Sequence, residues 1–323
     1  MDEEKKQADG VSAEAEDAAA DTAADATEPV CDVISHRRFG DRKDGRRVRS
    51  LSPMAQMIPY IMNVRSDAQN HIRETLNVDR ILDYINEKRR AGWTGFGFMH
   101  VMIAIYIRAV AEYPGINRFI NGQKIFARDG YIEVSLTIKK EMVLDSPDTV
   151  VKLTFRPDAT AADVYNGFTK VINDYRDVKD SGFDKTVKFI NYIPGLVKRF
   201  AVGFLKFLDF FGWLPRSLTR VSPFHSSLFI TSMGSLGIPP IYHHLYNFGN
   251  VPVFCSFGVK QRKMELQRDG TVQEHSYIDV TFVTDERICD GYYFAASLKY
   301  MKRFVRDPWL LDSAPEEVKR DVD

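Results

Sequence analysis

Asp285-Glu286-Arg287-Ile288-Cys289-Asp290-Gly291 places three carboxylates, a guanidinium and a thiol within seven residues, directly after the alternating run 277–284. A strand that stops at paired carboxylates and an Asp-Gly turn holds its reactive groups on a rigid edge, and proton transfer is the chemistry carboxylates offer there. Cys289 is a poor nucleophile in this setting, because neighbouring carboxylates raise a thiol's pKa and suppress the thiolate. It reads as a small buried side chain. A second candidate lies at Leu228-Phe229-Ile230-Thr231-Ser232-Met233-Gly234-Ser235-Leu236-Gly237, an apolar strand that runs into hydroxyls and glycines. Thr231 and Ser232 supply hydroxyls at the strand end, and Gly234 and Gly237, three apart, let backbone approach a ligand or simply form a tight turn. His243-His244 is a further source of imidazole, although adjacent strand residues face opposite ways and at most one points inward. His225 and His275 lack ligand spacing, so no metal site is expected.

These side chains need a scaffold, and the periodicities supply one. From Ser52 onward Met54, Met57, Ile58, Ile61 and Met62 recur at helical spacing, with Pro53 where a first turn tolerates it. Helices are expected again over 78–88 and 98–113. The latter is apolar for too few residues to cross a bilayer, which takes about 20, and is expected to be a buried core helix. Strands are expected at Ile125-Phe126, 131–138 and 150–155, with Asp129-Gly130 as a hairpin-type turn. Helices, strands, helix, strands and helix in that order describe an α+β or mixed α/β layout, not a doubly wound repeat; with the motif order along the chain, one α+β domain with a mixed sheet flanked by helices is expected. Residues 185–216 stand out as aromatic and apolar, but Lys188, Lys198, Arg199 and Lys206 break every run short of a membrane span. An amphipathic helical insertion is expected. Its aromatic and basic content permits contact with a membrane surface, with packing on the domain or on a neighbouring subunit the commoner arrangement.

Composition bounds the rest. The 323 residues carry 44 Lys and Arg against 44 Asp and Glu, so no global field recruits nucleic acid or acidic lipid. Three widely spaced cysteines form neither a zinc motif nor a disulfide framework, which fits a reducing cytoplasm. Residues 1–30, acidic and alanine-rich, lack what a core needs and are expected to be a disordered acidic tail, with no secretory signal. Residues 31–48 form a basic arm, expected to be solvated or covered electrostatically by that tail, and 312–323 a charged tail.

Together the two strand-end motifs resemble those of the catalytic domain of 2-oxo acid dehydrogenase acyltransferases (dihydrolipoyl acyltransferases), in the chloramphenicol acetyltransferase-like superfamily. There the first reads His-x-x-x-Asp-Gly with the His as general base, whereas this chain keeps Asp290-Gly291 and has Glu286 in place of the His. The second resembles Phe-Thr-Ile-Ser-Asn-Leu-Gly-x-x-Gly, whose hydroxyl donates to the oxyanion, with Thr231 in the nearest register and Ser232 one place away. Arg49-Ser-Leu-Ser-Pro-Met54, Ala109 to Asn117 and Arg303 to Leu311 resemble further family segments in the same order, so the likeness spans about 49–311. The family's Gly-Leu-x-x-Pro stretch is not recognisable, and 185–216 is longer and more aromatic than its counterpart.

The resemblance implies a coenzyme A-dependent acyltransferase-like domain over 49–311, with acyl-CoA as substrate and a thiol, hydroxyl or amine as acceptor. It also implies a homotrimer in which Glu286 of one chain faces Thr231 of the next, with Asp290 as an orienting group and Gly234, Gly237 and Gly291 along the cofactor's path. Neither a lipoyl domain nor a subunit-binding domain is expected before the fold, so the acyl carrier must come from elsewhere. Replacing a His by Glu widens the pKa gap to a thiol by about two units, roughly 3 kcal/mol or on the order of a hundredfold in rate. Burial beside Asp290 would recover part of that. Glu286 is therefore either a carboxylate base or a surface carboxylate in a degenerate site, and the chain either an acyltransferase or a non-catalytic trimeric scaffold.

Overall fold

The computed structural model describes residues 38–139, 148–177 and 194–323. The expected tail at 1–30, the start of the basic arm and the first part of the 185–216 insertion lie outside these.

A six-stranded mixed sheet organises the molecule. Its order is β2 (Gln69–Asn77), β9 (Val272–Asp285), β8 (Val253–Leu266), β7 (Leu228–Ser232), β5 (Ile132–Lys139), β6 (Asp148–Phe155). β7 runs parallel to both β5 and β8, while the other pairs are antiparallel. Alternation sorts the side chains. Leu228, Ile230, Val253, Cys255, Val280 and Phe282 enter the main core, whereas Phe229, Phe254 and Val283 join a smaller cluster with Leu245 and Val251.

Helices cover the main-core side. α3 (Phe98–Glu112) is buried from His100 through Ala111, as expected of a core helix too short to span a membrane. α2 (Asp79–Arg90) buries Ile81, Tyr84 and Ile85, and α4 (Ala161–Asp177) packs Val164 and Phe168 into the same core. α7 (Gly291–Arg306) buries Phe294, Leu298, Met301, Phe304 and Val305 at three- and four-residue spacing. The N-terminal helix α1 (Pro53–Ile61) forms as the sequence predicts, with Ser52 accepting from the Ala55 amide at 3.3 Å. Its periodic Met54, Met57 and Ile61 nevertheless stay exposed.

Three expectations need correction. Asp129-Gly130 is not a hairpin: β4 (Lys124–Ala127) belongs to a separate sheet of order β1 (Arg46–Arg47), β4, β3 (Arg118–Asn121), so the turn hands the chain from one sheet to the other. The tight hairpin is Gly122-Gln123, joining β3 to β4 with φ 55 and φ 60, the two positive values a type I′ turn requires. Second, the basic stretch before 49 is not simply solvated. Arg42 and Arg46 are buried, Arg42 on Asp44 and Asp209, Arg46 on Asp129, because their guanidinium forks match carboxylates and carbonyls already inside the fold. Third, the charged end is tied down at Asp321, which accepts two 2.6 Å bonds from buried Arg118.

Candidate active site

Strand β9 ends in an ionic knot. Asp285, 1% exposed, accepts from Arg287 Nε and Nη2 at 2.7 Å each and from Arg65 Nε at 3.1 Å. Arg65, equally buried, donates also to the carbonyls of Ile120, Gly249 and Tyr246, and Arg287 to that of Met62. Burial and the neighbouring Arg287 lower the Arg65 pKa, with Asp285 opposing. Two cations on one carboxylate, every fork engaged by carbonyls as well, make a rigid corner rather than a ligand site.

Glu286 sits between the two knotted residues and its side chain is exposed, while its amide donates to Ala68 carbonyl at 2.8 Å. The expected burial beside Asp290 does not occur in a single chain, where both side chains are exposed. Asp290 has a different task. It is the N-cap of α7, accepting from the Tyr293 amide at 2.7 Å. Gly291 is the first helical residue, with open space where a Cβ would be. The Cys289 thiol is pushed up to about 12 by burial, Asp290 and Asp285 adding to the effect against Arg118, and so carries no thiolate at neutral pH.

Thr231 and Ser232 are half-buried at the end of β7. Thr231 stands opposite Ser256, and Ser256 opposite Thr281, giving a row of three hydroxyls across β7, β8 and β9. Sequence reasoning missed Ser256 and Thr281, although their alternation with Phe254 and Val283 places them on one face. Ile241 engages both, its amide donating to Ser256 Oγ at 3.3 Å and its carbonyl accepting from Thr281 Oγ1 at 2.7 Å. Thr231 stands at the end of the row with no such cover. Gly234 opens a 3-10 turn over 234–236, where an added Cβ would come within 2.7 Å of Gly258 carbonyl. Gly237 closes the turn at φ 72. Close packing against β8 accounts for the first glycine and a left-handed conformation for the second.

The two motifs do not meet within one chain. Thr231 is level with Thr281, and five residues separate Thr281 from Glu286. At about 3.4 Å per residue that is roughly 17 Å along β9, in addition to two strand spacings of about 5 Å.

The histidine pair does not face opposite ways as expected of a strand, because 243–244 is irregular chain: the two rings stack at 4.5 Å. His243 stacks on Phe254 at 4.3 Å, and burial lowers its pKa; His244 is exposed. His225 is buried, 2.8 Å from Ser222 Oγ through Nδ1 and 3.3 Å from Asp209 Oδ2 through Nε2. Ser222 Oγ also caps the Phe224 amide, so this serine–histidine–aspartate succession clamps the chain before β7 to the helix that carries Asp209. No group of His, Cys, Asp and Glu able to hold a metal occurs among the described residues.

No family model matches the chain, and no curated protein matches it. Solved structures do. A probable dihydrolipoamide acetyltransferase from Listeria monocytogenes superposes with a TM-score of 0.51 at 12% identity, covering 81% of this chain and 95% of its own. A truncated catalytic core of the 2-oxoacid dehydrogenase multienzyme complex from Thermoplasma acidophilum gives 0.49 at 12% identity, covering 81% and 99%. A chloramphenicol acetyltransferase gives 0.45 at 12% identity, covering 79% and 96%. The first of these shows the fold: an α+β domain like that of the probable dihydrolipoamide acetyltransferase.

Proposed function

We propose that this protein binds an acyl thioester of the coenzyme A type and transfers its acyl group at a site closed between copies of the chain. Glu286 of one copy is the proton acceptor, and Thr231, with Ser232 beside it, is the oxyanion donor of the next. The observation that carries this is the separation of Glu286 from Thr231 on one sheet, roughly 17 Å along β9 and two strands across, with Glu286 exposed, Thr231 half-buried and neither side chain bonded to a partner among the described residues. A rotational assembly, the homotrimer that the family resemblance implies, would bring Glu286 of one copy against Thr231 of the next. A cytoplasmic setting, where acyl thioesters are made and used, fits this chemistry.

In the reaction Glu286 takes the proton of the acceptor's thiol, hydroxyl or amine as it attacks the thioester carbonyl. The Thr231 hydroxyl donates to the carbonyl oxygen as it gains charge. The thiolate then leaves and recovers a proton. Asp285, Arg287 and Arg65 hold the corner that aims Glu286, and Asp290 fixes the start of α7 beneath it.

One observation favours a second reading, a scaffold that keeps the fold for assembly. Every charged residue of the motif except Glu286 has a structural partner, so the local fold survives without the base. Acetyl-CoA binding by calorimetry together with thioester turnover decides between the two. An enzyme turns over, loses on the order of a hundredfold or more in Glu286→Gln with acetyl-CoA affinity nearly unchanged, and recovers or gains in Glu286→His. A scaffold gives no turnover in any of the three proteins.

A further inference from the structure

Helix α5 (Gly195–Phe211) is amphipathic in the wrong sense for a surface helix, which ordinarily turns its apolar stripe inward. Its body-facing side carries Ala201, Leu205 and Leu208, half-buried, and Asp209, buried. Asp209 is the anchor. It accepts from Asn121 Nδ2 at 2.9 Å and Arg42 Nη2 at 3.3 Å and lies beside His225. Burial alone would raise its pKa, but His225, Arg42 and Asn121 together hold it below the usual carboxylate range. Leu196, Phe200, Phe204, Phe207 and Phe211 recur at three- and four-residue spacing on the opposite side, with Trp213 just beyond, and Phe200 is 77% and Trp213 63% exposed.

The charges on this stretch are equally one-sided. Between 195 and 222, through α6 (Arg216–Val221), the charged residues are Lys198, Arg199, Lys206, Arg216 and Arg220 against the single buried Asp209. The chain as a whole has equal numbers of basic and acidic residues, so this is segregation and not a general excess. Arg199 and Lys206, seven residues apart, flank the aromatic stripe along one edge.

We propose that α5 and α6 form a docking face for an anionic lipid surface. α5 lies in the plane of the interface, its aromatic stripe at the headgroup boundary and Arg199 and Lys206 on lipid phosphates. Seventeen residues make a helix of about 25 Å that lies on a bilayer. No helix among the described residues is long and apolar enough to cross one. Charge complementarity selects this occupant over a second copy packed face to face, because two copies meeting through the same face would set cation rows against each other, whereas each Lys or Arg gains near an anionic leaflet. Anchoring at Asp209 presents the stripe outward as a rigid edge.

Full-length protein is tested by co-sedimentation with phosphatidylcholine vesicles with and without phosphatidylserine, alongside a blue shift of Trp213 emission read against Trp213→Phe. Binding is expected only to the phosphatidylserine vesicles and to weaken at high salt. It should fall about tenfold or more in the Arg199→Gln, Lys206→Gln double variant and be lost in Phe200→Ser, Phe204→Ser. These positions are exposed, so unchanged circular dichroism is expected of all variants. Absence of binding to either vesicle overturns the proposal. Equal binding to neutral vesicles, untouched by the charge variants, overturns its anionic character. A fall in solution mass in the phenylalanine variants without any vesicle binding assigns the face to a second copy instead.

Discussion

Asp290 and Glu286 stand four residues apart in one motif and face different fates. Asp290 closes the N-terminus of α7 through the Tyr293 amide, so Asp290→Ala is expected to cost about 1 kcal/mol of stability, and Asp290→Ser much less. Urea midpoints of the two variants check this; equal loss in both would mean that the cap bond is not what Asp290 contributes. His100 gives a second test at this scale. It is buried in α3, accepts from the Gly97 amide at 3.1 Å and touches Phe96 and Phe168, and burial above all pushes its pKa down to about 4. As pH falls, the unfolded chain takes up this proton near 6.5, well before the folded one does. The associated stability is present above pH 6.5 and is lost as pH drops toward 4, about 2 kcal/mol of it between pH 7 and 5. His100→Leu should remove that share of the pH dependence whatever its stability at pH 7; an unchanged difference between the two pH values would assign the loss to other groups. The sequence shows the carboxylates and hydroxyls of the site but not their burial. Asp285 meets Arg65 across 220 positions, and no local pattern announces so distant a pairing.

Elements were legible where one periodicity ran long. α3 is apolar almost without break, and β9 alternates up to Asp285, so both could be placed from the sequence. Turn chemistry was less informative, because Asp129-Gly130 and Asn121-Gly122 carry the same hairpin signal. Only the second joins strands that pair, a fact set by which sheet each strand enters. The amphipathic period of α5 was readable, whereas the outward direction of its apolar face depends on Asp209 being drawn inward by Arg42, Asn121 and His225. At the 3-10 turn after β7, Gly234→Ala is expected to cost roughly 1–3 kcal/mol, since its Cβ would meet Gly258 carbonyl at 2.7 Å and backbone must shift to admit it. A thermal midpoint within error of wild type would show that β7 and β8 are held less tightly than this.

The whole molecule is a sheet that carries the two motifs five residues apart along β9 and two strands across, joined to two peripheral segments that the sequence alone suggested were loose. Arg46 and Arg118 clamp the stretch before α1 and the chain's last residues onto the small sheet and the motif loop, Arg118 bonding both Asp321 and the Ile288 carbonyl. On the proposed function, one chain supplies a complete fold and half of each site. Subunit complementation tests this most directly. Glu286→Gln and the Thr231→Ala, Ser232→Ala double variant are each assayed for acyl transfer alone, then after co-refolding in equal amounts. If each site takes its base from one copy and its hydroxyl from the next, both are inactive alone and the mixture regains about a quarter of wild-type turnover, the fraction of random interfaces that pair an intact base with an intact hydroxyl. A mixture as inactive as its components, beside an active wild type, would contradict the shared site.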